Sequence, residues 1–305
     1  TPSGAININW KKPSLTEVGA SVMGSVGDGS ATNAQFGINV PIIKDVLAVR
    51  VAGMYDRNEG NRVYSVNNTT KPTARTESIR ATVRFEPAEF LKFGFVYEGL
   101  KYDATQFDQV QSMSQLIPGF TTPATIGTIT TNPATTIFLS APATKAGSYG
   151  TFGLADRKSV EFTPRTVAQN FKYYSWNAEA DLAGQRLIYL GSSLTFNFNP
   201  ITSQDPTAAL GASTLLQNTS THNSGTTHEI RLQNEDRIAG MFDYVVGYFR
   251  SKAEPETFLT SGSALDLYFP VNIGGGLTGV TPVGAISTNT PIYLPKGGVK
   301  EESFF

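Results

Sequence analysis

His222 and His228 are the two histidines of this 305-residue chain and its natural candidates for metal binding or proton transfer. Five residues lie between them, across what reads as a loop-to-strand boundary. A two-histidine zinc helix needs spacing i, i+4, so that both rings leave one helix face, with a carboxylate close by. This pair has neither, and no metal site is expected. The glycines at 274–276 and 297–298 lack the Lys-Ser/Thr that follows a phosphate-binding loop and read as flexible connections. No Gly-x-Ser-x-Gly elbow occurs. The absence of cysteine removes thiolate nucleophiles, thiolate metal ligands and disulfides. Glu86 and Glu89 flank a turn and are expected to be solvated. Asn67, Asn68 and Asn218 fit glycosylation sequons, which carry no meaning in a bacterial host. Neither catalysis nor a cofactor is expected.

Composition points elsewhere. A net charge of -1 gives no basic face for nucleic acid. Charged residues are 16% of the chain, against roughly 25% in soluble domains. Aromatics reach 11%, with 29 glycines and 17 prolines, a mixture that suits many strands and turns. No run approaches the ~18 apolar residues of a membrane-spanning helix. The start lacks an initiator Met and a signal-peptide core, and the end, "KEESFF", reads as the opening of another strand. The expectation is a segment of a longer protein.

The elements that would position any site are strands. Period-2 patterning marks them near 17–27, 33–43, 46–57, 75–86, 90–102, 170–183, 186–199, 227–235 and 241–253. In the hairpin at 80–99, Val83 and Phe85 share a face opposite Arg80 and Arg84, and Leu91, Phe93, Phe95 and Tyr97 share a face of the next strand. Elsewhere Leu47, Val49, Val51 and Tyr55 oppose Arg50, Tyr174 and Trp176 oppose Glu179, and Ile230 opposes Arg231. Alternate connections are tight ("IIKDVL", "FEPAEFL", "DLAGQRL", "QNEDRIAGMF"), while 58–74, 103–169, 200–226 and 254–300 are long. Within 103–169, "TIGTITTNPATTIFLSAP" could form a hairpin. Short turns at one end, long loops at the other and strands of about 9–13 residues fit an antiparallel transmembrane β-barrel. An arginine facing mid-bilayer costs ~2–4 kcal/mol, so the apolar face is expected outward and the charged face inward. Aromatics near strand ends, among them Tyr55, Phe85, Phe90, Tyr97, Tyr102, Phe196, Phe198, Tyr248 and Phe249, are expected to form interfacial girdles. A soluble sheet with one wet face would share the alternation but has no reason to sort loop length by parity.

The run "SGAININWKKP" at 3–13 resembles the last plug strand of TonB-dependent receptors, where it leads into the first barrel strand. Gly4, Ile6, Asn7, Ile8, Lys11, Lys12 and Pro13 match that plug-exit motif, while Trp10 replaces a small polar residue. The stretch 39–60 resembles the family's second and third barrel strands, and 80–93 and 228–249 resemble later hairpins. The resemblance implies an all-β fold: a partial barrel of about nine to ten strands out of roughly 22, with long extracellular loops. Residues 1–13 would end the plug and its hinge, and 14–305 would form the first part of the barrel. It further implies an outer-membrane location and active uptake of a scarce nutrient of the siderophore, cobalamin or oligosaccharide class. The implied partners are outer-membrane lipid, the remaining strands and plug of the parent chain, and the TonB complex acting through a missing N-terminal part.

The alternatives are a passive porin-like barrel or surface adhesin, disfavoured by residues 3–13, and a secreted β-rich enzyme, for which no catalytic constellation emerges. Candidate ligand contacts are exposed loop residues: Tyr102, Phe107, Tyr149 and His222. Residues 4–10 are expected to pair with a small sheet inside the barrel, with 11–14 as the hinge.

Overall fold

The computed structural model describes residues 10–109, 125–130, 136–140, 152, 154–203, 216–238, 240–274 and 277–305. Nine long strands follow one another as an antiparallel meander: β1 (Gly19–Gly27), β2 (Ala31–Ile43), β3 (Leu47–Asn58), β5 (Thr73–Ala88), β6 (Leu91–Gln106), β10 (Arg165–Leu182), β11 (Gln185–Ser203), β12 (Leu216–Asn234) and β13 (Val245–Gly274). Each pairs with its neighbour in that order. A further strand, β15 (Val299–Phe304), pairs antiparallel with the start of β13, as the terminal "KEESFF" suggested. β14 (Leu277–Leu294) folds back on the far part of β13. Two short strands, β7 (Thr125–Thr130) and β8 (Thr136–Ser140), form the expected hairpin, and β8 touches β13. Among the described residues no helix is long and apolar enough to cross a membrane, which says nothing of strands.

The tight turns are written in local chemistry. Ala183 and Gly184, at φ 52° and 73°, join Leu182 directly to Gln185. Positive φ at both central residues is the type I′ requirement, and Gly184 meets it without steric cost. At the β5–β6 turn the ladder skips from Phe85↔Phe93 to Ala88↔Leu91. Pro87 sits in that gap, with no N–H to donate.

Register fixes the faces, because residues directly opposite one another point the same way. One level runs Val40, Val49, Val83, Phe95, Trp176 and Gly191 across six strands. The level beside it runs Asn39, Arg50, Thr82, Val96, Ser175 and Ser192 on the opposite face. The first face is open: Phe36 is 42% exposed, Ile79 48%, Phe93 37% and Ile230 43%. On the second, Asn39, Ala48 and Thr82 are buried. Chains in water bury apolar faces and expose charged ones, and this sheet does the reverse. Its buried apolar residues among those described are Ala48, Ala74, Val96 and Ala104, while Leu15, Val63, Phe107 and Val160 lie outside the wall. An apolar face this continuous marks a membrane or protein contact.

Some strands run longer than the sequence suggested. β12 begins at Leu216 instead of 227, and β13 continues to Gly274 instead of 253. Much of the expected loops 200–226 and 254–300 is therefore strand. The ladder persists where apolar alternation has ended, because strands with two wetted faces need no apolar side.

Glycines on the apolar face lie beneath aromatic rings. A Cβ at Gly191 would meet the Trp176 indole at 2.3 Å, and one at Gly53 would meet the Phe36 ring at 2.4 Å. Gly191→Val is expected to displace Trp176 and destabilise the wall by ~1–3 kcal/mol, the usual cost of overpacking. Denaturant titration in bilayers, with the change in tryptophan emission, measures it. An unchanged midpoint and spectrum would show that the ring does not depend on the glycine.

Candidate ligand vestibule and hinge

Toward the turn end, the polar face carries charges of both signs in pairs. Arg80 meets Glu98 at 2.9 Å, Arg84 meets Glu86 at 2.7 Å, Arg231 meets Glu229 at 2.7 Å, and Arg186 bridges Asp181 and Glu235 at 2.7 Å each. Glu86 is thus paired, not simply solvated. Arg50, Lys92 and Glu179 lie on this same face by register.

Toward the loop end the same face becomes aromatic. Tyr173 stands opposite Glu98 on one side and Leu194 on the other. Phe171 faces Phe196, and Gln169 lies between Tyr102 and Phe198. The rings pack along their strands, with Phe171 and Tyr173 centroids 6.2 Å apart and Phe196 and Phe198 also 6.2 Å apart. Five aromatic residues on three adjacent strands make a surface on which a flat or apolar ligand can stack. Tyr102, Phe196, Phe198 and Phe249 therefore do not belong to an outer girdle. Tyr55, Phe85, Tyr97 and Tyr248 do lie on the apolar face.

The segment entering the sheet lies on the polar face as well. The Trp10 ring sits 4.0 Å from the Arg80 guanidinium. Arg84 Nη1 donates to the Pro13 carbonyl at 3.4 Å. Asn39, on β2, holds the turn into β1: its Nδ2 donates to the Ser14 and Glu17 carbonyls at 3.1 and 2.7 Å, and its Oδ1 accepts from the Ser14 N–H at 2.9 Å. The Leu15 carbonyl accepts from the Asp45 N–H at 3.0 Å. Pro13 is fully buried, and Lys11 and Lys12 are exposed. Residues 10–18 form no strand, and the ladder starts at Gly19. Gly4, Ile6, Asn7 and Ile8 lie outside the described residues, so the expected inner pairing of 4–10 does too.

Of the three expected ligand contacts among the described residues, Tyr102 alone lies in the aromatic surface, and it stands on a strand. Phe107 is not exposed: it is 0% accessible. It anchors a cluster in which β4 (Tyr64–Ser65) pairs parallel with β9 (Lys158–Ser159). Asn61 donates to the Phe107 carbonyl, while Asn67 and Asn68 donate to the carbonyls of Val160 and Phe162. Glu59, in the same cluster, is held below its usual pKa by the Tyr64 hydroxyl first, then by Ser30 and Arg62. His222 is on the opposite, apolar-side face of β12, its Nδ1 2.6 Å from Asn197 Oδ1. His228 is on that face too, 2.9 Å from the Tyr189 hydroxyl and near Trp176. Six residues of strand put the histidines about 20 Å apart, too far to share an ion. Tyr149 lies outside the described residues.

A cavity of about 750 Å³ opens on the face opposite the vestibule, lined by Tyr55, Arg57, Arg75, Asp103, Asn199 and Phe258 among others. It lies on the other face from residues 10–18, and we place the candidate site on the polar face, which carries both the entering segment and the aromatic surface.

No family model matches this chain. No curated protein matches it. Among solved structures, the ferric-catecholate import receptor Fiu from E. coli K12, in its closed form, matches over 100% of this chain and 49% of its own, with 13% identity and a TM-score of 0.49. The chain spans about half the length of that structure.

Proposed function

We propose that this chain forms the first part of the wall of a TonB-dependent outer-membrane receptor, taking up a scarce nutrient of the siderophore, cobalamin or oligosaccharide class. The observation that carries the reading is the inversion of the sheet, with exposed apolar residues on one face and paired charges plus the incoming segment on the other. Residues 1–13 then end a plug, 14–305 build the wall, and the aromatic surface around Tyr102 and Phe171 lines the outer vestibule. Among the described residues β1 pairs with β2 alone, and its other edge needs a further strand, since lipid tolerates no open edge. The TonB complex would act through the plug. A porin-like wall or an adhesin shares the inversion but gives no reason for Trp10 to Ser14 to be held on the inner face.

The test uses the full-length receptor in intact cells. A cysteine at exposed Thr70, beside the loop cluster, should react with a membrane-impermeant maleimide, and one at the Glu89 turn should not. Reaction at Glu89 alone reverses the orientation. Uptake of the nutrient that depends on TonB separates a receptor from a porin, which would pass solutes without it.

A further inference from the structure

The aromatic surface on the polar face is set among uncharged hydrogen-bonding residues. The rings of Phe171 and Tyr173 are nearly parallel, 16° between planes, and so are those of Phe196 and Phe198 at 9°. All four are half-buried, which leaves part of each ring open on that face. Across the ladder Phe196 faces Asn223, Phe198 faces Thr221, and Tyr102 faces Thr76. Thr221 in turn meets Thr257, their hydroxyls 3.3 Å apart.

Charge is scarce around the rings. Glu98, opposite Tyr173, already accepts both bonds of the Arg80 fork. Asp56, two strands from Tyr102 at the same level, accepts from the Asn33 and Asn58 amides. Among the described residues, the one further cation on this face of the wall strands toward the loops is Arg165, about 13 Å along β10 from Gln169. Arg57, Arg75, Lys101 and Lys172 lie on the opposite face. Arg62, Lys71, Arg157 and Lys158 sit with the Phe107 cluster outside the wall. The sequence continues the pattern. Its stretches 109–155, 187–228 and 257–295 together hold one lysine, Lys145, and no arginine, of 24 such residues in the chain.

Ring faces are electron-rich, so they repel an anion and attract polarised C–H groups. An anionic ligand, such as a ferric catecholate, would also leave its charge without a partner against this surface. A sugar ring matches on both counts, with a C–H face to lie on the rings and edge hydroxyls for the Asn, Thr and Gln side chains. We infer that the vestibule takes an uncharged oligosaccharide, stacked along Phe171, Tyr173, Phe196 and Phe198. The inference rests on the proposed receptor reading and narrows it to one of its three nutrient classes.

The experiment screens the full-length protein in detergent against an array of neutral oligosaccharides, their uronate-containing counterparts and a ferric tris-catecholate complex. At least one neutral oligosaccharide should bind, and its uronate counterpart should bind about tenfold more weakly because its carboxylates find no cation. Phe196→Leu keeps an apolar residue in the strand but removes the flat ring, and should weaken binding of the same neutral glycan about tenfold. Phe93→Leu, on the opposite face, should leave it unchanged. The wild-type comparison of neutral and uronate glycans decides the matter even if Phe196→Leu fails to fold. The inference is overturned if no neutral glycan binds, if a uronate glycan or the ferric complex binds as tightly as the best neutral one, or if Phe196→Leu binds like wild type. TonB-dependent uptake of a ferric chelate would defeat the sugar assignment and leave the receptor reading intact. Entry of the bound glycan without TonB would defeat the receptor reading and leave the stacking site.

Discussion

Replacing Val83 by arginine is expected to destabilise the assembled wall by ~2–4 kcal/mol, the cost of a lipid-facing arginine near the bilayer midplane. Val83 is flanked across the sheet by Val49 and Phe95. Along β5 it has Phe85 on the turn side and Ala81 and Ile79 on the loop side before Glu77 begins the polar zone. A guanidinium there has no polar group within its own level to reach. The comparison is Arg84→Val, one residue away on the other face. Arg84 is 35% exposed and pairs with Glu86, 23% exposed. A pair that open to water contributes about 0–1 kcal/mol. The single weak bond from Arg84 to Pro13 adds little. Denaturant titration of the full-length protein folded in bilayers should therefore rank Val83→Arg as the more damaging change. The reverse ranking would mean that the apolar face is not the lipid face, and the barrel reading would fail with it.

The strands were legible only where a membrane would touch them. Between Leu187 and Tyr189, or Leu91 and Tyr97, alternation is imposed by one apolar surroundings and one wet one, and the sequence shows it plainly. Beyond that zone "NTSTHNSGTTHE" keeps its ladder in β12 but loses the alternation, because both faces meet water. The same loss of reference misplaced Phe196 and Phe198. In β11 the large apolar residues switch faces near Gly191, and without the register to β10 an aromatic at a strand end looks like part of a girdle. Phe107 misled for another reason. The cluster around it joins 61–68 to 158–162, and contacts across such separations leave no local pattern. The sequence reads as a break at "KKPS", and residues 10–18 form no strand. What it could not announce was the acceptor and donor that hold its end, since Asn39 sits in β2 as one more polar residue in an alternating strand.

Asn39→Leu tests that hold. Leucine matches asparagine in heavy-atom count and branching and fits a strand, but it removes three hydrogen bonds to the backbone of Ser14 and Glu17 at a site only 5% exposed. A buried backbone group left without a partner costs ~1–3 kcal/mol. Ser14 is half-buried and Glu17 exposed, so each of these three groups costs less than that, but together they favour the segment leaving the wall and regaining water. The expected loss is ~2–4 kcal/mol, below the sum because water recovers part of it. The wall ladder from β2 onward uses backbone bonds that Asn39 does not make, so the loss should be local. Lys11 and Lys12 are exposed beside the hinge and supply the readout. Trypsin should cut the Lys11–Lys12 bond of the folded full-length protein at least several-fold faster in Asn39→Leu than in wild type. Thr82→Val, a polar-to-apolar change two strands away on the same face, should leave that rate unchanged. If cleavage is no faster in Asn39→Leu, then Asn39 does not hold the hinge. Release of residues 10–18 from the inner face would then have to be controlled by Trp10 on Arg80 and by Arg84 on Pro13.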